Sequence, residues 1–199
     1  MMRAGAARLR CDVRGVAAVE FALVVPLLLL IFFGVTELVR AIDTSRKVTI
    51  YARTIADLAG RASSDEARIS GILDAAGVIM RPYGTTDVQT IINAMGVEQV
   101  SGTLMGGVCS SYARNATKRA PLTLNGTGTL PATPATFRYD GARYVLVEVS
   151  LAYTPVLGAS LYRSIFGAAG IVFARQVPWA QRLDTGEVVM PNGAKCPTF

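Results

Sequence analysis

None of the 199 residues is a histidine, and that removes most of the chemistry a chain of this size could carry. His-dependent triads, imidazole metal sites and the commonest general base near neutral pH are all excluded. Cys109-Ser110-Ser111 offers nucleophilic atoms, but the only basic side chain close by is Arg114, so nothing is placed to take the proton. Asp140 and Glu148 are acids with no spacing that pairs them for acid–base work. "NGTGTL" contains a G-x-G, but no strand-turn-helix follows to present backbone amides to a phosphate. No set of residues has metal-ligand spacing. The expectation is no catalytic residue, no metal, no cofactor and no small-molecule substrate. The two sequons, Asn115-Ala116-Thr117 and Asn125-Gly126-Thr127, read as turn residues, and the single tryptophan, Trp179, as a core or interface anchor.

Three cysteines remain: Cys11, Cys109 and Cys196. If the first fifteen residues are removed or stay in the cytoplasm, two are left. Cys109 and Cys196 are then able to pair in an oxidising compartment, the alternative being two unrelated buried thiols.

Glu20 is the residue whose setting is most unusual. It lies inside an apolar run, and the next charge is Glu37. A carboxylate at a bilayer centre costs on the order of 3 kcal/mol, less near an interface, unless a positive charge meets it. Cleavage after Gly15 would create such a charge, because Val16 would then carry a free α-amine and Glu20 would be fifth in the new chain. A neighbouring subunit's amine is the partner this reading gives to Glu20. The competing reading is a carboxylate shallow enough to reach the headgroups.

The element that must position Glu20 is a membrane helix. Val16 to Thr36 spans 21 residues with one charge, which as a helix covers about 30 Å, the thickness of the hydrocarbon core. A secretory signal has the same basic start, but nothing resembling A-x-A follows "FFGVTELVR". A lipoprotein signal fails because Cys11 precedes the run. Basic residues tie across the span, with four Arg before it and Arg40, Arg46, Lys47 and Arg53 after it. The short tail and the cysteine pair favour the N-terminus in the cytoplasm and the bulk outside. The net charge of +6 is split between residues 1–15 (+3) and a scattered remainder (+3), with no basic stripe. That distribution argues against nucleic acid as a partner.

"RGVAAVEFALVVPLLLLIFFGVTELVRA" resembles the N-terminus of TadE-like proteins of the tight-adherence (Tad/Flp) pilus system. The resemblance covers residues 14 to 60 and is thin beyond them. It implies a basic leader cut after Gly15 by a prepilin peptidase, with Val16 as the new N-terminus. Glu20-Phe21 matches the Glu-aromatic pair of such substrates, and Pro26 the proline, and helix kink, within the apolar run. Val16 departs from the Ala that is commoner after the cut. Flp-type major pilins are much shorter chains, so the resemblance implies a minor subunit or assembly factor. Its partners would be the peptidase, other pilins and minor pilins, and inner-membrane lipid.

Beyond the span, Val35, Leu38, Val39, Ile42, Tyr51, Ile55, Leu58 and Ala59 recur at three- and four-residue spacing. They predict an amphipathic continuation ending at Gly60 as a C′ glycine. Ser63 and Glu66 form a capping box for a second helix closed by Pro82. "RYVLVEVSLAY" alternates, with Val145, Val147, Val149, Leu151 and Tyr153 on one face and Glu148 and Ser150 on the other. "DVQTIINAMG", "GTLMGGVCSSY" and "GIVFARQVPW" are weaker strands, and "LNGTGTLPATPATF" is a loop. Residues 151–173 carry one charge, Arg163, but their Pro and Gly residues favour a strand end, a short apolar helix facing the membrane or a partner, and another strand over a second span. The fold class is therefore α+β: a long N-terminal helix, a second helix and a small antiparallel sheet, a layout that resembles the general pilin plan. The expected division is a leader at 1–15, a span at 16–36, its continuation at 37–60 and an extracytoplasmic domain at 61–199. The rival function is a single-pass anchored periplasmic enzyme or ligand-binding protein.

Overall fold

The first helix, α1, runs unbroken from Val16–Ala59, 44 residues, or about 66 Å at 1.5 Å per residue. This computed structural model describes residues 15–61, 65–121, 132–156, 160, 163, 164, 167, 170–183 and 186–197. The leader before Gly15, Ser63, the Asn125 sequon and most of the Gly/Thr/Pro loop lie outside those residues.

α1 serves two environments. None of its residues from Val16 to Asp43 is buried, although they are almost all apolar. From Thr44 onward one face is covered, through Thr44, Val48, Tyr51, Ala52, Ile55, Ala56 and Ala59. Those intervals of three and four keep the residues on one stripe. Tyr51 and Ile55 were expected there. Val35, Leu38, Val39 and Ile42 are exposed on a different face, and Leu58 is exposed at the edge of the covered one, so the single stripe inferred from sequence divides where the helix enters the domain. Gly60 follows the helix, but with φ −63° it is not a left-handed cap. Its side is occupied instead: a Cβ there would lie 3.1 Å from the Ala180 carbonyl oxygen and 3.5 Å from the Trp179 ring.

The second helix, α2 (Glu66–Gly77), is capped by Asp65, whose carboxylate accepts from the Ala67 N–H. Glu66 is thus the first helical residue and not the third, which replaces the expected Ser63–Glu66 box. A short 3₁₀ turn, Val78–Met80, ends the helix two residues before Pro82.

Four strands follow: β1 (Gln89–Val100), β2 (Thr103–Arg114), β3 (Arg143–Tyr153) and β4 (Ile171–Ala180). They form one antiparallel sheet in the order β2-β1-β3-β4. β1 and β2 make a hairpin, which the positive φ of Ser101 and Gly102 allows to turn tightly. The register slips between Ala94 and Met95, leaving Cys109 as the extra residue of a bulge. The main core lies between the sheet and the two helices, where Val145, Val147, Val149 and Leu151 of β3 meet α1 and α2. A second core forms on the other face around Met95, Val97, Val108, Tyr144 and Leu146. Phe137, in the 3₁₀ turn Ala135–Phe137, stacks on Tyr144 there at 4.6 Å. The architecture is α+β.

Candidate functional site

Gly15 is the N-cap of α1, with ordinary right-handed torsions, and a Cβ added there would meet nothing within 4 Å. The fold itself therefore makes no demand for glycine at this position. Glu20 stands one turn after Val16 on the same side of the helix, exposed, with Phe21 beside it at 70% exposure. Pro26 lies inside α1 without ending it. Gly15, Val16, Glu20, Phe21 and Pro26 thus share one apolar rod that no other described residue covers.

The rod is fastened to the sheet by polar contacts along its remaining length. At its base the Tyr153 hydroxyl donates to Glu37 Oε2 at 2.7 Å, and Arg40 stands 3.8 Å from the same carboxylate. Burial and the hydrogen bond to Glu37 push the Tyr153 phenol up to about 12. Six residues higher, Asp43 accepts from Lys47 at 2.9 Å and from the Tyr83 hydroxyl at 3.2 Å, and the lysine holds its carboxyl below the usual range. Arg175 of β4 donates to Ser45 Oγ and Thr49 Oγ1 at 2.9 and 3.0 Å. The Trp179 indole donates to Asp57 at 3.1 Å, and the Arg182 N–H to the Gly60 carbonyl at 2.8 Å.

The cysteines are joined. Cys109 and Cys196 form a disulfide with Cα atoms 5.3 Å apart and a sequence separation of 87. Gly96 makes room for it, since a Cβ there would lie 2.8 Å from Cys196 Sγ. The neighbouring serines are engaged as well. Ser110 Oγ accepts from the Met190 N–H, and Ser111 Oγ donates to Asn93 Oδ1. Each side chain of Cys109-Ser110-Ser111 thus has a structural partner.

Glu148 is the acid that sequence reasoning passed over as ordinary. Arg119 grips both its oxygens, at 2.6 and 2.7 Å, and Asn93 donates to it at 2.8 Å. Burial pushes this carboxyl up, but Arg119, with Asn93 and Gln176, outweighs that and holds it below its usual range. The group pins the segment after β2 across the sheet. Asp140 belongs to a different contact, accepting from the Gln99 N–H at the far end of β3. Asn115 takes a positive φ and donates to the Thr86 and Val88 carbonyls, as a turn residue does. Among the described residues no three His, Cys, Asp or Glu are grouped to hold a metal ion. The polar contacts of Tyr153, Trp179 and Arg119 tie the domain to α1 and to itself.

Such an arrangement defines a class: an α+β domain carried on an N-terminal helix whose apolar half fits a membrane anchor. Among the described residues α1 is the one helix long and apolar enough to cross a membrane. Residues 15–57 match the family model described as TadE-like protein, consistent with a TadE-like protein of the Tad pilus system. The match begins at Gly15 and ends at Asp57, so the sheet lies beyond it. That family is pilus-associated and structural, and is not known as enzymatic. No curated protein and no solved structure matches the chain.

Proposed function

We propose that this chain is a pilin-like minor subunit or assembly factor of a Tad-type pilus. It is cut after Gly15 by a prepilin peptidase and held in the inner membrane by α1, with the sheet domain on the periplasmic side. The observation that carries this reading is the uncovered half of α1. The apolar run of 21 residues from Val16 to Thr36, with no residue buried among the described residues, needs lipid or other helices around it. The family match on the same residues supplies the system. Neither Gly15 nor Glu20 is required by the chain's own packing, which favours an outside reader for each: a peptidase for the glycine, and a neighbouring subunit's amine for the carboxylate.

The test is N-terminal sequencing of protein extracted from membranes with an active peptidase. The mature chain starts at Val16, and a chain retaining the leader overturns the processing step. Glu20→Ala separates the two roles of the helix. Membrane insertion persists or improves, because an acid is removed from hydrocarbon, while recovery of pilin partners falls. Unchanged partner recovery and piliation would mean that the carboxylate is merely solvated.

A further inference from the structure

We infer that the end of the sheet formed by Tyr153, Val156, Ile171 and Val172 rests on the bilayer surface and acts as a second, shallow membrane contact. This deepens the proposed function, since it rests on α1 spanning the membrane. Val156, Ile171 and Val172 are 67%, 38% and 62% exposed, apolar side chains at one end of the sheet that the described residues leave uncovered.

The occupant follows from height along α1. β4 runs in the same direction as the helix, as its rungs show: Arg175 binds Ser45 and Thr49, Trp179 binds Asp57, and Arg182 binds Gly60. Four strand residues rise ~13 Å while the ten helical residues between those rungs rise ~15 Å, so the two advance together. Going down four residues from Arg175 brings Ile171 about 13 Å lower, level with the Glu37–Arg40 turn. An independent contact agrees. Tyr153, paired with Ile171 across the sheet, donates to Glu37. Phe21 to Thr36 carries no charge, and Glu37 is the first residue beyond it. The patch therefore sits at the level where α1 leaves hydrocarbon. Exposed aliphatics level with the first charged turn of the helix are placed where the headgroup region would receive them, and Tyr153, buried behind them, fixes that level through Glu37. Arg163 is the sole charge between Val156 and Ile171, and is exposed. Phosphates suit it.

Tryptophan placed at the patch reads its depth. Val156→Trp and Val172→Trp are made in the full chain, which is reconstituted in phosphatidylcholine vesicles with brominated acyl chains. Native Trp179 is the internal control, because Asp57, its partner, is about 30 Å above Glu37. Leu104→Trp is the second control. It is an exposed apolar site beside the Ser101-Gly102 turn, at the opposite end of the sheet. The expected result is a blue-shifted emission component at positions 156 and 172, with loss of intensity in brominated lipid and none at Trp179 or Leu104→Trp. Phe21→Trp in the same vesicles reports insertion of α1. Quenching at Phe21→Trp with none at 156 and 172 overturns the surface contact alone. No quenching at Phe21→Trp overturns the membrane reading beneath it. Shielding from aqueous acrylamide without bromine quenching at 156 and 172 means a second protein covers the patch, which also overturns the lipid contact.

Discussion

Cys196→Ser removes the covalent link between β2 and the C-terminal segment, and its effect can be worked from the chain. The bridge spans 87 residues. Loop-closure entropy for a ring of that size corresponds to about 4.6 kcal/mol at 25 °C. The C-terminal segment keeps other ties, because Val188 and Met190 are in the main core and the Met190 N–H stays on Ser110. The native fold therefore survives, and the loss falls on the unfolded state, which regains its freedom. At the 2–4 °C per kcal/mol usual for a chain of this length, the midpoint drops by about 9–18 °C. Trp179 is the only tryptophan and packs against the core at α1, so its fluorescence in detergent reports the transition directly. Cys109→Ser, the double variant and reduced wild type should coincide with Cys196→Ser, since each lacks the same single link. A shift below roughly 1 kcal/mol would refute the reasoning. So would a Cys109→Ser curve far from that of Cys196→Ser. Alkylation of non-reduced wild type, counted by mass, should find neither Cys109 nor Cys196 free.

Acid should weaken the domain through Glu148. Its folded pKa lies below the unfolded value of 4.5, so its contribution is complete above that value and fades as pH falls through the folded one. Denaturation curves between pH 3 and 6 should lose this part of their slope in Glu148→Gln, and a slope identical to wild type would exclude Glu148 as its source. Tyr153→Phe removes the donor to a nearly covered Glu37 and should cost about 1.5–3 kcal/mol, the range for hydrogen bonds to charged groups, measured by the same fluorescence transition. The tyrosine's pKa is raised, so its contribution is intact below pH 10 and is lost as pH rises toward about 12. In an alkaline absorbance titration of the folded protein, the latest phenolate to form should vanish in Tyr153→Phe.

Periodicity shows an element where one of its faces is covered and the other is open to water. β3 shows this best, with its bounds and its inward residues both legible in "RYVLVEVSLAY". β1 and β2 were fainter for a physical reason. Both faces of their middles are covered, by the helices on one side and the Phe137–Tyr144 core on the other, so the alternation disappears. Tyr144 and Leu146 were missed for the same cause. Gly60 was legible as the end of α1, but its reason was not, since the strand end that crowds it comes from residues 179 and 180. The Glu148 cluster draws on Asn93, Ser111, Arg119 and Gln176, four positions separated along the sequence and adjacent only through strand register. A signal existed in one place: an acid on the solvent side of a strand otherwise dominated by valine. The helix that carries Val16, Glu20 and Phe21 was legible because its pattern is local and uninterrupted, whereas the roles of Gly15, Val16, Glu20 and Phe21 depend on molecules outside the chain and belong to the proposal.

The side-by-side course of α1 and β4 has a mechanical consequence. Tyr153, Arg175, Trp179 and Arg182 hold α1 at Glu37, Ser45 and Thr49, Asp57 and Gly60, at successive heights along a common direction. A pull along the helix axis loads these ties in shear, together, and not one after another as in unzipping. The domain is thus coupled to its rod like a sleeve fixed at several collars, and lifting or tilting the rod moves the sheet with it as one piece.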